Sequence, residues 1–177
     1  MKLISVGRLV DQKDHLTLLK AIKLINSKCK IELIIMGRGI LKNSIKNFIL
    51  ENKLTKNIRL MNFNKNPFAY IKLADALVLS SKYEGLPNVL LEALTLGKPV
   101  ISSSCPTGPK EILSNGKGGL LFKVGDYKAL SKKILFMKNN FKECVKKTKY
   151  AIKNLSRYNE KKNLMKYYFL ILKIMQK

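Results

Sequence analysis

The residues whose types and spacing suit chemistry begin with two acids. Glu84 and Glu92 stand eight positions apart in Glu84-Gly85-Leu86-Pro87-Asn88-Val89-Leu90-Leu91-Glu92-Ala93. Pro87 suits the first turn of a helix, because its ring presets φ and it has no N–H to leave unsatisfied. The orphan amides around Asn88 to Leu90 then form a ready anion site. Glu84 falls in the loop before that helix, and Glu92 about one and a half turns inside it. A carboxylate can accept from two vicinal hydroxyls at once. Two carboxylates flanking a phosphate-binding helix end call for a ligand with hydroxyls on both sides of a phosphate. A sugar nucleotide has that plan: ribose, diphosphate, sugar. The apolar company of Glu92 (Leu90, Leu91, Ala93, Leu94) argues against a solvent-facing helix residue. On spacing alone, Glu84 also reads as a plain loop acid.

Cations come from a different stretch. Gly7-Arg8-Leu9-Val10-Asp11-Gln12-Lys13-Asp14 follows the first apolar run, with Gly7 read as permitting a tight turn. Arg8 and Lys13 share one loop just before a helix start, an arrangement that suits a diphosphate. Two cations in a surface loop are more often simply solvated, so this signal is weak by itself. Gly37-Arg38-Gly39 is half of a dinucleotide fingerprint and lacks the third glycine. It reads better as a turn that brings backbone close to a ligand or to the next helix.

Other chemistries are disfavoured. His15 is the single histidine, so a His-rich metal site or a histidine pair is not available. Cys29, Cys105 and Cys144 are odd in number and far apart, against a disulfide scaffold or a zinc ribbon. Cys105 has no neighbouring base to make it a nucleophile. No apolar stretch reaches the roughly 18 residues of a membrane helix. The first residues read as a strand rather than a signal peptide, and the expected setting is reducing and cytosolic.

These side chains must be carried by something. Short apolar runs at 2–6, 31–36, 57–61, 76–80, 99–102 and 120–122 predict strands covered on both faces. Helices are predicted at 15–26, 41–53, 67–73, 88–96, 109–114 and 127–138, with Asp14 capping the first and Gly97-Lys98-Pro99 stopping the fourth. Residues 141–175 read as two closing helices. The alternation predicts an α/β, Rossmann-like, doubly wound parallel sheet. Its ligand belongs beyond the carboxyl ends of the strands, where both acids and both cations fall. With 177 residues, 46% hydrophobic, the chain has length for one full domain.

Net charge is +24, yet lysine supplies 31 of the 35 basic residues, a composition drift that weakens any nucleic-acid signal. Residues 131–177 hold 14 of those bases against Glu143 and Glu160. Apolar residues recur there at helical spacing: Ile134, Leu135, Met137, Phe141, then Leu164, Tyr168, Leu172, Met175. A Lys-rich face of this kind is a solvated surface or one that leans on anionic lipid. Nucleic acid is not expected as a partner.

Taken in order, the motifs resemble the C-terminal, donor-binding domain of the retaining GT-B glycosyltransferases called group 1 or family 4. The segment Glu84 to Ala93 is similar to that family's E-x7-E signature. Val6-Gly7-Arg8-Leu9 with Lys13, Ala74 to Ser81, Gly97 to Ile101 and Glu111-Ile112-Leu113 support it at family spacing. The resemblance implies one half of a GT-B fold, with a donor domain at 1–157 and a crossing helix at 158–177. It implies that Arg8 and Lys13 hold the diphosphate, that Glu92 accepts from ribose and that Glu84 accepts from the donor sugar. Gly85, Leu86, Pro87 and Asn88 would shape the sugar pocket, and Val89 and Leu90 would offer amides to phosphate. Gly7 joins the donor site, and Gly37 to Gly39 with Asn62-Phe63-Asn64 would flank the base. The activity implied is hexosyl-type transfer from a nucleotide sugar with retention, in lipopolysaccharide, capsule or lipid-linked glycan synthesis. No metal or other cofactor is expected. The family's N-terminal acceptor domain is not among these residues, so a partner chain or further segment is implied. The alternative is a non-catalytic nucleotide-binding module of this fold. Localisation is expected to be cytoplasmic, with peripheral placement on the inner face of the membrane as the variant of that expectation.

Overall fold

The computed structural model describes residues 1–26 and 29–175. Six strands alternate with helices: β1 (Lys2–Val6), α1 (His15–Ile25), β2 (Glu32–Met36), α2 (Lys42–Glu51), β3 (Ile58–Met61), α3 (Phe68–Leu73), β4 (Ala76–Leu79), α4 (Asn88–Thr95), β5 (Val100–Ser103), α5 (Pro109–Ile112), β6 (Leu120–Phe122) and α6 (Tyr127–Asn139). Two more helices, α7 (Phe141–Lys153) and α8 (Glu160–Met175), close the described chain. Gln176 and Lys177, included in the expected crossing segment, lie outside the described residues.

All strand pairings are parallel, in the order β3-β2-β1-β4-β5-β6. This is the doubly wound α/β architecture. The chain runs outward from β1 to β3, then returns to place β4 on the other side of β1. The loops after β1 and β4 therefore diverge at one crevice, where such sheets bind ligands.

The strands are near-continuously apolar because both faces are covered. Leu3, Leu33, Ile35, Val78 and Ile101 pack with α1, α2 and α6, through Leu18, Ile22, Ile45, Ile134 and Met137. Their neighbours Ile4, Leu77, Leu79 and Val100 pack with α3, α4 and α5, through Ile71, Leu90, Ala93, Leu94 and Ile112. Period-two alternation thus divides one sheet between two cores.

Helix ends follow their chemistry. Asp14 caps α1, its carboxylate accepting from the Thr17 amide at 3.2 Å and the Thr17 hydroxyl at 2.7 Å. Gly97, at φ 72°, ends α4 in the left-handed conformation. α5 stops at Ile112, two residues short of expectation, because Ser114 and Asn115 turn left-handed at φ 48° and 53°.

The two closing helices differ. Ile134 and Met137 of α6 and Cys144, Thr148 and Ala151 of α7 are buried. No residue of α8 is buried, and Tyr167, Phe169 and Ile174 are each more than 60% exposed. The periodic set Leu164, Tyr168, Leu172 and Met175 has no covering element among the described residues. Helical spacing reveals an apolar face but not what lies against it. No helix among the described residues is long and apolar enough to cross a membrane.

Candidate functional site

Three loops meet at the crevice, and backbone contacts set their positions. The Gly7 amide donates to the Met36 carbonyl at 3.0 Å, Leu9 to Arg38 at 2.8 Å and Leu41 to Leu9 at 2.9 Å. A Cβ on Gly37 would lie 1.9 Å from the Gly7 carbonyl oxygen. Glycine at 37 is thus required by the approach of two loops. Gly7 does not have positive φ, and a Cβ there would meet Lys13 at an ordinary 3.5 Å. The bend at Gly7 therefore does not draw on the left-handed region that glycine enters freely.

The loop after β4 is stitched to the loop after β1. The Lys82 amide donates to the Gln12 carbonyl at 2.8 Å, and the Ser80 hydroxyl to the Lys13 carbonyl at 2.9 Å. Arg8 Nη2 donates to Gln12 Oε1 at 3.0 Å, and Gln12 Nε2 donates to the Tyr83 carbonyl at 3.0 Å. Lys13 Nζ meets Glu84 Oε1 at 2.5 Å, with these side chains only 15% and 7% exposed. The Ser81 hydroxyl donates to the same oxygen at 2.6 Å. From β5's side, the Thr107 hydroxyl donates to the Glu84 carbonyl at 2.6 Å, and a Cβ on Gly108 would lie 2.1 Å from the Gly85 carbonyl oxygen. Gly85 itself faces open space.

Beside this pair opens a cavity of about 440 Å³. Gly7, Arg8, Gly37, Phe63 and Glu92 line it together, with Arg38 and Phe68. The Arg38 guanidinium lies 5.1 Å from the centre of the Phe63 ring, and that ring is 54% exposed. This is an aromatic ring with a cation over one face, both lining the cavity. Arg8 forms no ion pair among the described residues, its hydrogen bond going to neutral Gln12. Burial raises the Glu92 carboxyl above the usual glutamate range. The cavity therefore offers an uncommitted cation and an uncommitted carboxylate.

The start of α4 departs from expectation in two details. Pro87 precedes the first helical residue as its cap instead of occupying the first turn. The Leu90 amide donates to the Pro87 carbonyl at 2.9 Å, so it is engaged locally, and its side chain is fully buried. The Asn88 and Val89 amides have no acceptor among the described residues. Leu86 is 53% exposed, while Pro87 is buried. Asn88 lines a neighbouring groove of about 350 Å³ with Phe68, Leu91 and Glu92. Of the remaining motif residues, Asn62 accepts from Lys42 Nζ at 2.7 Å. Cys105 is fully buried, its Sγ donating to the Ser81 carbonyl at 3.2 Å, a structural role.

Gln12, Ser81, Thr107 and Gly108 carried no assigned role in the sequence. Their function is to join loops, and nothing in local spacing announces a contact between residues 71 positions apart, such as Gln12 and Tyr83. A larger open groove of about 680 Å³ lies between α5 and α7, lined by Lys110, Glu111, Tyr150 and Arg157. It contains none of the converging residues. The crevice cavity is the better candidate because strand ends, a cation without an ion-pair partner among the described residues and a half-buried acid meet there.

Comparison with known proteins identifies the family and the fold. The family model described as glycosyl transferases group 1 matches residues 1–154. An uncharacterized glycosyltransferase of Methanocaldococcus jannaschii is 44% identical over 111 residues, 62% of this chain and 27% of that protein. The Campylobacter jejuni N-acetylgalactosamine-N,N'-diacetylbacillosaminyl-diphospho-undecaprenol 4-alpha-N-acetylgalactosaminyltransferase is 32% identical over 122 residues, 69% of this chain and 33% of that protein. Staphylococcus aureus TarM, solved in a complex that includes UDP, superposes with a TM-score of 0.88 at 23% identity, over 96% of this chain and 35% of that one. At that identity the superposition establishes the fold. The chain spans about a third or less of the length of each of these proteins.

Proposed function

The chain belongs to the group 1 glycosyl transferases, and from that membership we propose that it is the donor-binding domain of a surface-glycan glycosyltransferase. It holds a nucleoside-diphosphate sugar at the crevice between β1 and β4, for hexosyl transfer with retention. The observation that carries this reading is the meeting of Arg8, Glu92 and Phe63 in one cavity beside the Lys13–Glu84 pair. At about 440 Å³ the cavity has room for a nucleoside. Phe63 and Arg38 flank the base, and Glu92 accepts from the ribose hydroxyls. Arg8, Lys13 and the Asn88 and Val89 amides face the diphosphate. Glu84 addresses the sugar, with Gly85 and Leu86 at the rim.

In this reading the bond from anomeric carbon to diphosphate breaks as the acceptor oxygen attacks from the same face. The departing phosphate takes the acceptor proton. The protein's main contribution is to stabilise charge on the leaving diphosphate through Arg8 and Lys13, and no metal is called on for it. Residues 158–177 cross to an acceptor half supplied by another segment or chain, which fits the unburied face of α8. Cytoplasmic placement beside an anionic membrane surface completes the proposal, since the Campylobacter relative named above acts on a diphospho-undecaprenol-linked glycan.

The test is thermal denaturation with UDP, GDP and ADP. A nucleotide at 100 times its dissociation constant adds about 2.7 kcal/mol, a Tm rise of roughly 5–10 °C for a domain of this size. EDTA should leave that rise intact. Arg8→Ala should weaken diphosphates more than nucleosides. Absence of a rise with all three nucleotides would overturn the reading.

A further inference from the structure

The Lys13–Glu84 contact has a third member whose placement limits what Glu84 can recognise. Glu84 Oε1 accepts from Lys13 Nζ at 2.5 Å and from the Ser81 hydroxyl at 2.6 Å. A carboxylate oxygen has two lone-pair sites, so Oε1 is filled. Oε2 has no partner among the described residues. Yet His15 Nδ1 is the one fully buried side-chain nitrogen or oxygen found there without a partner. Oε2 is therefore not sealed away, and it is the one Glu84 oxygen left for a ligand.

Two donors are needed to hold it so. The terminal torsion of a glutamate is broad, and a single donor leaves the carboxylate plane free to swing. Lys13 reaches Oε1 from the loop after β1, and Ser81 from the end of β4. Ser81 is itself fixed. It is fully buried, and its carbonyl accepts from the Ser103 hydroxyl at 2.6 Å and from Cys105 Sγ at 3.2 Å. Thr107 holds the far end of the turn through the Glu84 carbonyl. The two donors also differ in what a ligand does to them. A diphosphate competes for the Lys13 charge, but it has no such pull on a buried neutral hydroxyl.

We propose that Ser81 is a positioning residue that locks the Glu84 carboxylate so that Oε2 alone reads one hydroxyl of the donor sugar. This rests on the nucleotide-sugar reading above and narrows it. Glu84 does not grip a vicinal pair. Glu92, with neither oxygen engaged among the described residues, keeps the two-oxygen capacity suited to a ribose diol. Ser81 matters most once the donor is bound, when Lys13 shares its charge with phosphate.

The experiment titrates the full chain with UDP-, GDP- and ADP-hexoses by calorimetry, then repeats the best binder in its monodeoxy forms. In the wild type, removing one particular hydroxyl should cost about tenfold in affinity, the worth of a hydrogen bond to a charged group, and each of the others less than about threefold. Ser81→Ala should collapse that discrimination to within about threefold. It should leave the affinity for the sugar-free nucleoside diphosphate within about twofold. Ser81→Cys, with a weaker donor, should fall between, and it carries the same comparison if the alanine variant does not fold. Ser131→Ala removes another buried hydroxyl, one that donates to the Lys128 carbonyl in α6, and should change neither quantity. Three results would each overturn the proposal: discrimination kept in both Ser81 variants, equal losses at two neighbouring hydroxyls in the wild type, or parallel losses of nucleotide and nucleotide sugar in the variants. If the wild type binds no nucleoside diphosphate, the functional reading itself fails. If it binds one without discriminating hydroxyls, only the Ser81 inference fails.

Discussion

Replacing Lys13 by methionine tests whether the crevice is built on a buried ion pair or on two solvated charges. The substitution keeps most of the aliphatic stem and removes only the ammonium. Glu84 is then left with its side chain 7% exposed and one neutral donor, Ser81. Breaking a buried pair by removing one partner typically costs about 3–5 kcal/mol. Lys13 keeps 15% exposure and Ser81 stays in place, so about 2–3 kcal/mol is the reasoned loss here. Glu84→Gln should cost less, about 1–2 kcal/mol, because the amide oxygen still accepts from Ser81. The double variant should cost little more than Lys13→Met alone, since no charge is left unpaired. Urea denaturation at neutral pH measures all four proteins. If the two single losses are each below about 0.5 kcal/mol and simply add, the pair behaves as a surface contact. The reasoning about a desolvated Lys13–Glu84 core would then be refuted.

Other expectations follow from the same geometry. Glu92 is raised by burial, so its folded value lies above its unfolded one. Its contribution to stability is present below the ordinary glutamate range and is lost as pH rises through the folded value. Glu92→Gln should therefore gain on the wild type in urea midpoint between pH 4 and pH 7, and an unchanged gap would remove the desolvation argument. The same variant should bind nucleotide more weakly at neutral pH, with calorimetry as the readout. Gly37→Ala forces a Cβ to 1.9 Å from a backbone oxygen and should cost at least about 2 kcal/mol. Gly85→Ala enters open space and should stay within about 0.5 kcal/mol while weakening nucleotide-sugar binding. Equal denaturation midpoints for these two variants would contradict the assigned packing. Asp14→Ala removes the α1 cap and should cost about 1 kcal/mol, read in the same assay.

Local pattern settled much of this protein. Runs such as Ile34-Ile35-Met36 and Ala76-Leu77-Val78-Leu79 are apolar on successive residues because each strand is covered twice, and that property is visible without coordinates. Capping and stopping residues, Asp14 and Gly97, act within a few positions of themselves, so they too are readable. The eight-residue interval from Glu84 to Glu92 placed one acid before a helix and the other inside it. What spacing could not supply was any relation between distant segments. It did not show that Gln12 bridges Arg8 to Tyr83, or that Gly37 is glycine because Gly7 passes beside it. Nor did it show that Oε1 of Glu84 is filled by Ser81 and Lys13. Those facts arise only when β4 returns to lie beside β1 and brings residues 71 positions apart within hydrogen-bonding reach. The helical period of α8 likewise announces an apolar face, while the absence of anything against it among the described residues is decided by packing alone. Sequence periodicity is a local property of one element, whereas a binding site is a property of several elements held at fixed distances.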